Sequence, residues 1–194
     1  AEKVTELLGL TLLPMDHYEA DDAIASVCEL FKNENVEIII GSLDKDLMQC
    51  LNVKNISMYS TRYKSFTTGD DVYKKFGVHP HQIPDFLALV GDSSDGIPGM
   101  NGIGEKTASA LLQEYENIEN IYQNLNIWKN NIRSGKRHAN TIFENYELLK
   151  LFKSLTTLRL DVKVPNKIEK YSLSQLSSDE LSKFSAKYQL NINF

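Results

Sequence analysis

Residues 36–42 read VEIIIGS, a near-continuous apolar run of strand length closed by Gly-Ser. An alternating strand would leave one face to water. This one points apolar side chains both ways, so it predicts a parallel strand buried on both faces, which requires covering helices. A cover precedes it: AIASVCELFKNEN places Ala23, Ile24, Val27, Leu30 and Phe31 on a 3.6-residue period. LTLLP and ISMYS read as further strands, and YKSFTT as a hairpin partner. DKDLMQCL reads as a short helix, and GDDVYKKFG as a helix with Asp70 near its cap and Gly77 at its end. From Pro84 the pattern is helical: DFLALVG, EKTASALLQEY, then the 117–160 region. The expected fold is α/β, a parallel-sheet core followed by a helical subdomain. The boundaries fall at 1–83, 84–164 and a C-terminal extension 165–194 holding one helix, SSDELSKFSAKY. The sheet is poor in strands for a doubly wound core.

Composition excludes some classes. No window approaches the roughly 20 apolar residues needed to span a bilayer, so no membrane partner is expected. The first residues, AEKVTELLG, resemble neither a signal nor a transit peptide. Cys28 and Cys50, on predicted buried faces, are too few for a disulfide framework in 194 residues, which favours a reducing compartment.

The chemistry lies in the acids. Glu19, Asp21 and Asp22 follow the LTLLP strand, Asp44 and Asp46 follow VEIIIGS, and Asp92 and Asp95 sit in the loop GDSSDG after the helix DFLALVG. Open parallel sheets bind ligands beyond the carboxyl ends of their strands. Singly, each group has an ordinary explanation, as a helix cap or a turn. Together they predict seven carboxylates in one region, which demands counter-charge. Oxygen-only donors without His or Cys point to Mg²⁺ or Mn²⁺.

A different signal follows in IPGMNGIGEKTASALLQEY. Gly99, Gly102 and Gly104 permit a tight hairpin, with a helix starting at about Glu105. Backbone N–H groups there suit phosphate, and Lys106 and Thr107 add a charge and a hydroxyl. Net charge is −5, yet residues 125–164 carry eight Lys/Arg (Lys129, Arg133, Lys136, Arg137, Lys150, Lys153, Arg159, Lys163) against three acids. That suggests a basic, phosphate-tracking flank beside an acidic focus, or else a solvated helical face. Tyr59, Arg62, Tyr63 and Lys64 read as a hairpin edge. His79 and His81 lack a third ligand for zinc, and Trp128 reads as packing.

In order and spacing, EADD, LDKDLMQCL and GDSSDGIPGMNGIGEKTASALL resemble the 5′-nuclease family: the 5′–3′ exonuclease domain of bacterial-type DNA polymerase I, its stand-alone relatives and, further off, the flap endonucleases. LTTLRLDVKVP resembles the family's closing segment. The resemblance implies a PIN-like core and a helix–hairpin–helix (helix-3-turn-helix) element. It also implies two-metal hydrolysis of phosphodiesters at a DNA 5′ end, a 5′ flap or the RNA of an RNA–DNA primer, in replication and repair. Residue by residue, Glu19, Asp21 and Asp22 match the acidic triplet, Asp44 and Asp46 the second-strand pair, and Asp92 and Asp95 the pair before the hairpin. All seven would hold two Mg²⁺ or Mn²⁺. Gly99, Gly102, Ile103 and Gly104, with Lys106 and Thr107, match the element that holds duplex DNA, where a K⁺ is also implied. Gly96 stands where many relatives carry Asn. Family members carry a further metal-ligating Asp on a first strand, and a helical arch, upstream of the segment that opens here. The expectation is therefore a fragment completed by an N-terminal segment, in the form of a separate chain. The alternatives are a non-catalytic fragment that binds duplex or branched DNA, and a PIN-type ribonuclease that would not need the hairpin. The expected compartment is bacterial cytoplasm or nucleoid, with an organelle or nucleus as alternatives.

Overall fold

The computed structural model describes residues 2–128, 132, 134–174 and 178–189. After a short helix α1 (Glu2–Leu7), residues 10–15 are irregular and carry no strand. The LTLLP strand is thus a misreading: Leu10 and Leu12 stay exposed, and a leucine-rich run of five residues without a ladder partner does not make a strand. Helix α2 (Ala20–Phe31) then buries Ala23, Ala25, Ser26, Cys28 and Phe31 on one face. Its exposed side includes Leu30.

The sheet has three strands in the order β1 (Ile38–Ile40), β2 (Ile56–Ser60), β3 (Ser65–Thr67). β1 pairs parallel with β2, with Ile39 opposite Ser57, and β2 pairs antiparallel with β3 across a hairpin. Tyr59 and Phe66 pack across that hairpin at 4.9 Å, so the basic–aromatic stretch is a hairpin edge, as expected. The double-sided burial predicted for VEIIIGS is only half realised. Ile40 is buried, but Ile39 is 51% exposed, because β1 is an edge strand among the described residues and its outer face has no cover.

Helix α3 (Gly69–Phe76) begins at Thr68, whose backbone N–H and hydroxyl both donate to Asp71, and ends on Gly77 in the left-handed region at φ 70°. The remainder is helical: α4 (Ile83–Val90), α5 (Glu105–Tyr115), α6 (Ile118–Gln123), α7 (Leu125–Trp128), α8 (Gly135–Glu144), α9 (Tyr146–Thr156) and α10 (Ser178–Tyr188). α4 is the hub. It is apolar nearly all round and packs on α5, on α9 and on a 3₁₀ turn at Asp46–Cys50. One core runs from Ile40 and Met58 of the sheet through Leu47, Phe86 and Leu89 to Leu111, Ile142 and Trp128. Trp128 is fully buried and its indole N–H donates to the Ile121 carbonyl at 3.0 Å, as its packing role requires. Among the described residues no helix is long and apolar enough to cross a membrane.

Candidate active site

The 3₁₀ turn 46–50 is wedged between α2 and α4, and this packing draws the three acidic segments together. Asp21 and Asp22 lie in the first turn of α2, behind Glu19 at its N-cap. Past β1 the chain turns on Ser42, whose hydroxyl accepts the Asp44 N–H at 3.0 Å. Asp44 in turn accepts the Asp46 N–H at 3.1 Å. The 91–97 loop closes on a two-residue bridge between Asp92 and Ile97 (2.9 and 2.8 Å), which holds Asp92 beneath α4 and leaves Asp95 exposed.

The carboxylates feel one another. Burial, then the fields of Asp44, Asp95, Asp92 and Asp21, push Asp46 up to about 7. Asp21 is raised by burial and by Asp44, Glu19, Asp22 and Asp95, and Asp95 by burial, Asp92 and Asp44. Asp46 Oδ1 is buried without a hydrogen-bond partner. An anionic oxygen in that state costs free energy unless a cation answers it.

The gathering is looser than the sequence predicted. Among the described residues no three His, Cys, Asp or Glu side chains stand close enough, as placed, to hold a metal ion. Two of the seven acids are engaged elsewhere. Asp22 accepts the backbone N–H of Arg159 at 2.9 Å and that of Glu19 at 3.4 Å. Asp92, 3% exposed, is ion-paired with Lys45 at 2.8 Å and accepts both the N–H and the hydroxyl of Ser94. Burial alone would raise Asp92, but these bonds hold its carboxyl below the usual range. Mutual repulsion works against a closer approach of the other carboxylates.

Three functional side chains escaped the sequence reading. Lys45 ion-pairs with Asp92 and brings a cation against this acidic group. Ser26 and Gln49 tie residues 156–162 across the back of the site: Ser26 bonds Arg159 and Val162, and Gln49 bonds Thr156 and Leu158. The motif DKD holds a signal for Lys45, since a lysine between two acids is placed to neutralise them. Nothing local marks the bonds by which Ser26 and Gln49 reach residues 156–162, which span more than 100 residues. Replacing Lys45 with Met should lower the stability of the metal-free protein by about 1–2 kcal/mol, discounted because the ammonium is 44% exposed. Thermal unfolding in EDTA checks this; an unchanged midpoint would show the pair to be idle.

The hairpin stands beside the acids. α4 ends at Gly91, the chain turns through Gly99 (φ 70°) and Gly102 (φ 82°), and α5 starts at Glu105 with Gly104 as N-cap. Met100 N–H donates to Leu89 and Ile103 N–H to Met100, while Thr107 and Ala108 N–H both bond Gly104. Ile103 was expected at the DNA surface, but its side chain is buried, which leaves only its backbone for contact. Gly102, Gly104 and Lys106 are exposed, and Thr107 is half-buried. The His138 ring of α8 lies against Gly102, and burial and Arg137 hold its pKa below the ordinary value. This contact places exposed Lys136 and Arg137 next to the turn. Of the rest of the expected basic flank, Lys153 is drawn into the fold by Asp85 and Glu119, while Lys150 and Arg159 are paired at the surface with Glu147 and Asp161. Lys129 and Arg133 lie outside the described residues.

This order of parts is matched by known proteins. Residues 1–77 match the family model of the 5′-3′ exonuclease N-terminal resolvase-like domain, and residues 78–179 that of the 5′-3′ exonuclease C-terminal SAM fold. The chain belongs to the 5′-3′ exonuclease family. It is 39% identical over 155 residues to a 5′-3′ exonuclease of Aquifex aeolicus, covering 79% of this chain and 52% of that protein. It is 38% identical over 179 residues to DNA polymerase I of Caldicellulosiruptor bescii, covering 89% of this chain and 20% of that one. The chain therefore spans about half the exonuclease and a fifth of the polymerase. T5 5′-exonuclease with bound divalent zinc superposes with a TM-score of 0.66 at 22% identity, over 91% of this chain and 61% of that one. The catalytic core of Rad2 in complex with DNA substrate gives 0.62 at 16%, over 98% and 63%. At these identities the structural likeness establishes the fold, an exonuclease α/β core with a SAM-like helical part.

Proposed function

We propose that this chain carries the metal-binding face and the DNA-holding hairpin of a structure-specific 5′–3′ exonuclease or 5′-flap endonuclease, acting on DNA or primer RNA. The observation that carries this is Asp46: a buried, unpartnered carboxylate oxygen pushed to a pKa of about 7 by four neighbouring acids. The donor set suits a hard divalent cation, Mg²⁺ or Mn²⁺. Asp21, Asp44, Asp46 and Asp95 would hold it, with Glu19, Asp22 and Asp92 completing two sites. When bound, such ions lower the pKa of an attacking water and stabilise the leaving oxygen. The chain's own residues bind and orient. The hairpin amides around Gly102 and Gly104, the α5 N-terminus, Lys106, Thr107, Lys136 and Arg137 would grip phosphates behind the scissile bond, without reading bases. A K⁺ at the hairpin and an N-terminal segment that completes the core belong to the same proposal.

The test is cleavage of a 5′-flap DNA and of a single-stranded RNA, each with Mg²⁺ or EDTA. Flap-specific products that need Mg²⁺ support the reading. Cleavage of RNA that survives deletion of residues 97–107 would favour the PIN-type ribonuclease, and flap binding without cleavage would favour the non-catalytic form. In the same system, binding of duplex DNA should weaken steeply with salt, and Lys106→Ala should reduce the log–log slope by about one. An unchanged slope would remove Lys106 from the interface.

A further inference from the structure

Two thiols 22 positions apart in sequence meet behind the acidic face. Cys28 projects from the buried side of α2 and Cys50 closes the 3₁₀ turn 46–50, two elements that pack on each other. Both cysteines are reduced. They line one cavity of about 320 Å³, bounded also by Gln49, Pro84 and Leu158. Far more than one water fits in such a volume, so a peroxide molecule can reach the sulfurs. The neighbourhood separates the two roles. The neighbouring Cys50 thiol favours the Cys28 thiolate, holding that pKa below the ordinary value. Cys28, then burial and the fields of Asp21 and Glu29, push the Cys50 thiol up. One sulfur is poised to attack, and the other to resolve.

We propose that Cys28 and Cys50 form a peroxide-responsive modification site, which closes to an intramolecular disulfide between the two elements that carry Asp21, Asp22 and Asp46. The Cys28 thiolate attacks one peroxide oxygen and the O–O bond breaks, giving Cys28 sulfenic acid and hydroxide. The Cys50 thiol then displaces the sulfenic oxygen as water, losing its proton, and the S–S bond forms. In sum two thiols are oxidised to a disulfide and one hydrogen peroxide is reduced to two waters. The link pins the end of the 3₁₀ turn that carries Asp46 to α2 through bonds instead of packing, and it stands whether or not the face is catalytic.

The experiment exposes the whole reduced chain to stoichiometric hydrogen peroxide, blocks free thiols with iodoacetamide and measures intact mass and peptide linkage. The expected product is a monomer lacking two hydrogens, unalkylated at both cysteines, containing a Cys28–Cys50 linked peptide and restored by dithiothreitol. Cys50→Ser should instead accumulate a dimedone-reactive Cys28, and Cys28→Ser should lose its remaining thiol at least about tenfold more slowly than the native protein loses Cys28. Circular dichroism of each variant confirms that it is folded. Two alkylated cysteines after peroxide, a disulfide linking separate chains, or equal rates for the two single variants would each overturn the proposal.

Discussion

Asp46→Asn should make the metal-free protein more heat-stable at pH 8 and slow Mg²⁺-dependent flap cleavage by at least about a hundredfold. Both effects come from one carboxylate. Its folded-state pKa of about 7 lies above the ordinary carboxylate value of 3.8, so between those limits the folded chain keeps a proton that the unfolded chain has released. Stability is therefore greatest, as far as this group is concerned, below pH 4, and it drains away as pH climbs through 7. Each pKa unit is worth 1.36 kcal/mol, which bounds the loss at about 4 kcal/mol. Asparagine carries no charge to desolvate or repel, so the variant should gain several degrees in unfolding midpoint at pH 8 and nothing at pH 4. Mg²⁺ should raise the native midpoint at pH 8 and raise the variant's less. Equal midpoints at pH 8, with equal Mg²⁺ shifts, would show that the acids do not act as one electrostatic unit.

The same physics explains what the sequence could and could not disclose. Where a residue's role is set by its neighbours in the chain, the reading succeeds. Gly77 ends α3 because a left-handed residue must stand there, and α5 starts at Glu105 because the glycines before it cannot continue a helix. ISMYS followed by YKSFTT gives a hairpin through alternation alone. Where a role depends on remote partners, the reading fails. LTLLP has the composition of a strand but no ladder to join, and strand preference expresses packing rather than backbone. Lys153 looks like part of a basic surface until Asp85 and Glu119, distant in sequence, are found beside it.

The candidate site divides along the same line. That acids recur after β1 and after α4 is legible, because such positions face the ligand crevice. That Asp92 would be buried and claimed by Lys45, or Asp22 by the Arg159 backbone, is not, because those bonds span 47 and 137 residues. The acids the sequence treats as equals thus fall into two kinds. Asp21, Asp46 and Asp95 are raised and short of counter-charge, while Asp92 is lowered and satisfied. The first kind is the one the proposed cation would neutralise. The second fixes the loop that carries the hairpin.

That hairpin should fail most sharply at Gly99. A Cβ there would lie 2.4 Å from the Val90 carbonyl carbon and 2.5 Å from the Gly91 nitrogen, both backbone atoms that cannot swing aside. The backbone also sits at φ +70°, which an L side chain adopts at a cost. Relief requires the turn to move off the end of α4, straining the Met100–Leu89 hydrogen bond and lifting Ile103 from the core. Gly99→Ala should therefore cost about 2–4 kcal/mol, roughly 6–12 °C in midpoint for a chain of this size, and weaken duplex binding at least about tenfold. Gly102→Ala is the control. Its φ of +82° carries the left-handed cost, about 1–2 kcal/mol, but its nearest neighbour is the His138 ring at 3.9 Å. If close backbone approach is what ties the glycine turn to the acidic face, Gly99→Ala must lose clearly more stability than Gly102→Ala. Equal losses would mean that only turn conformation matters, and that the hairpin rides on α4 without being locked to it.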